Sequence, residues 1–158
     1  MLIIVLMIDL VWQGDYFMMQ SKPYLLDFPA HGIDETGMLS VVENGLNAVL
    51  PFEIQRVFWT YNVPNGANRG YQAHLYTAEL LIAIKGVMYV TTETLEGEIQ
   101  EFVLDRPTLG LYIPPKTWHY ISYGEATFQL AMASHPYDAN DYVRDYEEFK
   151  RLAVEPNH

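Results

Sequence analysis

Two short stretches carry the residues best suited to chemistry. The first, Arg69 to His74, reads RGYQAH and is followed by Glu79; the second, Gly110 to His119, reads GLYIPPKTWH. On an extended strand, residues two apart point to the same face, so Gln72 and His74 must look the same way. Imidazole, with an unperturbed pKa of about 6.5, can take and return a proton at neutral pH, which makes His74 and His119 candidate acid–base groups. The Gln72 amide exchanges no proton in that range and can only orient a ligand or hydrogen-bond a developing oxyanion. Taken together, Gln72, His74, Glu79 and His119 could instead hold Fe, Mn, Ni or Zn, with the amide oxygen as a weak, neutral donor. A third reading makes the histidines hydrogen-bonded core residues. All three stay open on residue types alone.

Arg56 and Arg69 present planar forks of donors matched to a phosphate, and Lys116 adds a point charge at the rim of the same region. Pairing of both arginines with surface carboxylates is the plainer alternative. Tyr112, with Tyr61, Tyr71, Tyr76, Tyr120, Phe58, Trp59 and Trp118, offers flat surfaces on which a base or sugar could stack, although most aromatics in a small β domain are core. His31, His135 and His158 fall outside both stretches and read as solvated or structural.

The elements that must position these groups are strands. From PYLLDFP onward, short β-rich runs recur: MLSVVE, IQRVFWTYNV, ELLIAIKGVMYVTTET, EIQEFVL, GLYIPP, HYISY and ATFQLAMAS. Breaks rich in Gly, Pro, Asn and Asp separate them at 64–70, 95–98, 105–110 and 123–126. This spacing predicts an all-β, antiparallel sandwich or barrel. Only NDYVRDYEEFKRL reads helical, with Asn140 or Asp141 as its cap and apolar residues at 142, 143, 146, 149 and 152.

A chain of 158 residues, half of them hydrophobic, suits one domain with a single core. Nine Lys and Arg against twenty Asp and Glu give a net charge of −11, a surface that repels nucleic acid and anionic lipid alike. The absence of cysteine rules out a disulfide framework, a thiolate metal site and a cysteine nucleophile, and fits a reducing cytoplasm. The opening run MLIIVLMIDLVWQG meets Asp9 well short of the roughly 18 apolar residues a span needs, and no Lys or Arg precedes Lys22. Residues 1–20 are therefore expected to be an N-terminal extension, and 21–158 the single domain.

The paired motifs, RGYQAH with Glu79 and GLYIPPKTWH, resemble those of cupins. More specifically, SVVENG, LPFEIQRVFWTYNVPNGANRGYQAH, DRPTLGLYIPPKTWH and SHPYDANDYVRDYEEF resemble, in order, the sugar nucleotide 3,4-ketoisomerases, or WxcM-like cupins. The resemblance runs from about Tyr24 to Leu152. It implies a cupin double-sheet jelly-roll barrel with a short C-terminal helix, and a dTDP-4-keto-6-deoxyhexose substrate in bacterial deoxysugar or surface polysaccharide biosynthesis. It also implies no cofactor and no metal, a cytoplasmic setting, and a homodimer with exchanged N-terminal strands. His74, Arg69 and Arg56 match the family's pattern. Gln72 stands where the family has the first histidine of a His-Ala-His motif, and Thr36 where it tends to have an arginine before the glycine of an early turn. On this reading His74 is the single base, with His119 or a tyrosine as relay. The alternatives are a non-catalytic nucleotide-sugar binder built on the same fold and a metal-dependent cupin enzyme.

Overall fold

The computed structural model describes residues 21–45 and 49–154; the predicted extension at 1–20 and the apolar run within it lie outside this range. Twelve strands follow in chain order: β1 Tyr24–Asp27, β2 His31–Ile33, β3 Gly37–Leu39, β4 Arg56–Thr60, β5 Asn68–His74, β6 Glu79–Lys85, β7 Met88–Glu93, β8 Ile99–Leu104, β9 Leu109–Ile113, β10 Trp118–Tyr123, β11 Phe128–Ala133 and β12 Tyr142–Val143. Among the described residues one α-helix, α1, spans Tyr146–Leu152. Two five-stranded sheets, ordered β1-β9-β6-β11-β4 and β12-β5-β10-β7-β8, carry the fold, and β2 pairs with β3 as a hairpin. All the pairings are antiparallel, the sandwich form of the double-sheet jelly roll expected from the sequence.

The core lies between the sheets. Leu81, Leu111, Ile113 and Ala131 from the first sheet meet Met88, Val90, Leu104 and Ile121 from the second. The first sheet is apolar on its other face as well, where Leu80, Ile82 and Met132 pack under Leu50, with Phe52 and Ile54 alongside. This double burial explains why β6 reads as the unbroken run ELLIAIK rather than an alternation.

The C-terminal helix is shorter than its periodicity predicts. Residues 139–141 form a single 3-10 turn capped by Asp138, Tyr142 and Val143 pair with β5 opposite His74 and Ala73, and α1 begins only after Asp145, whose side chain accepts from the Glu148 backbone N–H. Asp141 is not a helix cap, because its carboxylate turns inward, where it is 2% exposed. Phe149 of α1 then closes a third cluster with Ala73, Trp118 and Val143, which ties the C-terminus to the strand that carries the first motif.

Candidate functional site

Strand β5 would not bring Arg69, Gln72 and His74 to one face if it were regular, since Arg69 lies an odd number of residues from Gln72. A bulge corrects the parity. Gln72 pairs with His119 while Gly70 pairs with Tyr120, so Tyr71 is the extra residue. Tyr71 takes φ 53° and Gly70 φ 95° to make it. A Cβ at Gly70 would lie 3.1 Å from both the His119 carbonyl oxygen and Tyr120 Cα, so glycine also permits the close strand approach. Tyr71 is turned outward, its ring stacked on Tyr120 and its hydroxyl accepting from Asn68.

Inward of the bulge is a cavity of about 140 Å³ walled by Phe58, Thr60, Arg69, Gln72, Glu79, His119, Tyr123 and Gln129, with Gly70, Leu81 and Ile121 completing it. Burial raises the Tyr123 hydroxyl to about 12, so it stays protonated, and it donates to the Gln129 carbonyl. Glu79, 3% exposed, is the centre of the charge arrangement. Its Oε1 lies 3.3 Å from His74 Nε2 and 3.9 Å from Arg56 Nη2, and its Oε2 lies 3.7 Å from His119 Nε2. On the far side of His74, Nδ1 is 2.9 Å from Asp141 Oδ2.

These contacts push the two histidines in opposite directions. Burial disfavours a charged His74, but the hydrogen bonds and charges of Glu79 and Asp141 outweigh it and raise the imidazole above its ordinary value. Burial pushes the Glu79 carboxyl up, and His74, helped by the charges of His119 and Arg56, more than reverses this and holds it low. His119 is lowered by its burial and by the charge of His74, which Glu79 and the Thr117 carbonyl only partly offset. The site therefore sets side by side an imidazole biased toward its charged form, a carboxylate biased toward ionisation and an imidazole biased toward its neutral form. Separated pKa values of this kind divide acid from base.

The sequence-based candidates are distributed unevenly about this centre. Gln72, His119 and Arg69 line the cavity. His74 does not; it reaches the cavity through Glu79. Arg56 lies behind the same carboxylate, its guanidinium over Phe58 and Tyr137, with Nε and Nη2 buried and without a hydrogen-bond partner. Tyr112 stands apart, because β9 alternates: Leu111 and Ile113 face the core, and Tyr112 turns to the opposite face against Tyr24 and Phe52. Lys116 is exposed in the β9–β10 turn, where its backbone N–H donates to the His74 carbonyl at 2.6 Å and its side chain takes no part in the cavity wall. Among the described residues no group of three His, Asp or Glu is arranged to hold a metal.

Four residues that the motifs did not reveal join the site. Thr60, Tyr123 and Gln129 are inward-facing polar positions on otherwise apolar strands, a signal visible as a break in hydrophobic alternation. Asp141 lies in the turn sequence DAND, where Asp138 caps the backbone N–H of Asn140, a pattern that marks the turn but not the inward carboxylate.

Residues 21–154 match the family described as "FdtA: WxcM-like, C-terminal". A curated relative, the TDP-4-oxo-6-deoxy-alpha-D-glucose-3,4-oxoisomerase of Aneurinibacillus thermoaerophilus, is 33% identical over 127 residues, which cover 79% of this chain and 88% of the relative. Among solved structures, a 3,4-ketoisomerase from Helicobacter canadensis is 30% identical with a TM-score of 0.77, covering 84% of this chain and 98% of its own. The sugar 3,4-ketoisomerase QdtA of Thermoanaerobacterium thermosaccharolyticum, solved in complex with TDP, is 29% identical with a TM-score of 0.78, covering 84% and 95%. With a matched cavity-bearing domain from Ser21 to Val154, this chain belongs to the FdtA, WxcM-like C-terminal family.

Proposed function

We propose that this protein is a sugar nucleotide 3,4-ketoisomerase acting on a dTDP-4-keto-6-deoxyhexose in bacterial deoxysugar or surface polysaccharide biosynthesis. The observation that carries the reading is the buried Glu79 with an imidazole at each oxygen, one biased toward its charged form and one toward its neutral form, opening on a cavity walled by Arg69. Relatives of this family are named for the same reaction. In it a proton leaves C3, an enediolate spans C3 and C4, the O3 proton passes to O4 and a proton returns to C4. Oxidation at C3 and reduction at C4 cancel, so the conversion needs no external electron carrier.

We assign the proton-accepting role to His119 rather than His74. His119 lines the cavity and is biased toward its neutral form, while His74 is biased toward its charged form and enclosed by Glu79 and Asp141. As His119 takes the proton, the Glu79 carboxylate 3.7 Å away stabilises the imidazolium, the role a buried carboxylate plays behind a catalytic histidine. Gln72, Thr60 and Gln129 supply hydrogen bonds for the sugar oxygens. Gln72 also favours the rival reading of a non-catalytic binder, since it replaces a proton carrier at the cavity wall. Incubation with TDP-4-keto-6-deoxyglucose in D₂O separates the two: deuterium appears at C3 for the enzyme, and TDP binding without exchange identifies the binder.

Arg69 is assigned to the diphosphate. A charge-assisted contact contributes on the order of 1.5–3 kcal/mol, so calorimetric titration of Arg69→Ala with TDP should show about a ten- to hundredfold loss of affinity. Unchanged affinity would remove Arg69 from the phosphate site.

The working form is proposed to be a cytoplasmic homodimer with exchanged N-terminal strands. No helix among the described residues is long and apolar enough to cross a membrane. Every residue of β2 and β3 is exposed, and Met38 and Leu39 of β3 line an apolar groove with Ile82, Leu130 and Met132. Beside it Val57 and Trp59, on the sheet-edge strand β4, are also exposed, at 49% and 58%. An open edge and a contiguous apolar surface of this kind suit a second copy of the same chain. Light scattering at micromolar concentration should give twice the monomer mass, and a monomer there would refute it.

A further inference from the structure

We propose that Asp141 is a positioning residue of this site, fixing through His74 and Glu79 which of the two histidines meets the substrate free to accept a proton. The proposal rests on the ketoisomerase reading above.

Asp141 comes from the 3-10 turn before β12, far from both motifs, yet it is 2% exposed and its carboxylate and carbonyl are directed at the segment from residue 74 to residue 77. Oδ1 accepts from the Tyr76 backbone N–H at 2.9 Å, Oδ2 meets His74 Nδ1 at 2.9 Å, and its carbonyl accepts from the Leu75 N–H at 2.8 Å. Burying a carboxylate is costly, and capping the C-terminal helix does not require it, since Asp145 does that from an exposed position. From Asp141 inward, carboxylate and imidazole alternate without interruption: Asp141, His74, Glu79, His119, the last two in the cavity wall.

This order determines where the shared proton rests. With Asp141 ionised, His74 lies between two carboxylates and keeps the proton, and its charge keeps a second one off His119. An asparagine at 141 could still accept from Tyr76 N–H, but its amide N–H₂ would then face His74 Nδ1 and force a neutral ring protonated at Nε2. The groups around His119 would then be Glu79 on β6, neutral His74 and Arg69 on β5, Tyr123 on its own strand, and Arg56 on β4 behind Glu79. Without the positive charge of His74, His119 would hold its proton to higher pH, so that a larger fraction of the protein would begin the reaction with the acceptor occupied.

The test uses the full chain, with Asp141→Asn and Asp141→Glu, TDP-4-keto-6-deoxyglucose as substrate and ¹⁵N NMR of the histidine rings. Asp141→Asn should lower kcat/KM at neutral pH on the order of tenfold to a hundredfold, by analogy with the loss when a metal-bound imidazole is deprived of its orienting carboxylate. The acidic limb of the pH profile should move to higher pH, TDP affinity should hold, and the His74 ring should change from imidazolium to neutral. Asp141→Glu should recover part of the rate and the charged ring. A folded Asp141→Asn protein with an unmoved acidic limb and His74 still charged would overturn the proposal. Should that variant fail to fold, a neutral His74 in the unmodified protein at pH 7 would overturn it equally, and a charged one supports it. An unmodified protein that exchanges no C3 proton refutes the ketoisomerase reading instead, and the ring spectra then decide alone whether Asp141 holds the His74 proton.

Discussion

Replacing Gln72 by histidine is expected to raise the rate of C3 proton exchange on TDP-4-keto-6-deoxyglucose, by up to the 10²- to 10⁴-fold that a positioned acid or base typically contributes. Gln72 is half-buried, lines the cavity and sits directly across the ladder from His119. An imidazole there would share the cavity with a neutral His119, a protonated Tyr123 and Arg69. One ring could then remove the C3 proton while another delivers a proton to C4, work that His119 must otherwise do by itself. Glutamine and histidine are similar in bulk, so the wall should admit the change with little cost in stability. The measurement is the initial rate of deuterium entry at C3, with TDP affinity as the control. A Gln72→His protein that binds TDP normally and exchanges nothing would mean that a second group has gone as well. Thr36 is then the next position to restore; it lies in the exposed β2–β3 turn, where an arginine is expected from the family pattern, and its backbone N–H donates to the Ile33 carbonyl.

What the sequence disclosed follows from how local each determinant is. Strands and their breaks were legible because alternation and turn chemistry act over a few residues, and Gln72 and His74 could be put on one face by counting in twos. Counting fails at Arg69, since only the bulge at Tyr71, with two consecutive positive φ values, restores it to that face. It fails again for Tyr112, where both faces of the first sheet are apolar and the parity of β9 cannot be read from hydrophobicity. The stretch 140–145 has a pattern that a helix would satisfy, but pairing of β12 with β5 overrides it. Asp141 was hidden for the same reason: its partner, His74, is 67 positions away. Lys116 looked like a rim charge, whereas what the fold uses is its backbone N–H on the His74 carbonyl.

The division of labour between the two histidines gives the second large effect. His119→Asn should lower turnover by about 10² to 10⁴-fold while leaving the fold intact. Its ring makes only long contacts, 3.4 Å to the Thr117 carbonyl and 3.7 Å to Glu79, so an amide in its place removes the proton acceptor and little else. His74→Asn should behave differently. The His74 ring, biased toward its charged form, lies between two carboxylates at 3.3 and 2.9 Å, and an amide would leave Glu79 and Asp141 buried with one cation, Arg56, at 3.9 Å from the first. Breaking a buried ion pair costs on the order of 3–5 kcal/mol, so this variant should lose stability along with activity. Thermal melts and exchange rates measured on the same samples separate the roles. A His119→Asn protein of normal rate, beside a His74→Asn protein that melts normally but is inert, would return the base to His74 and make His119 a wall residue. The reverse pattern fits a site in which the charged histidine holds Glu79 in place and the neutral one moves the proton.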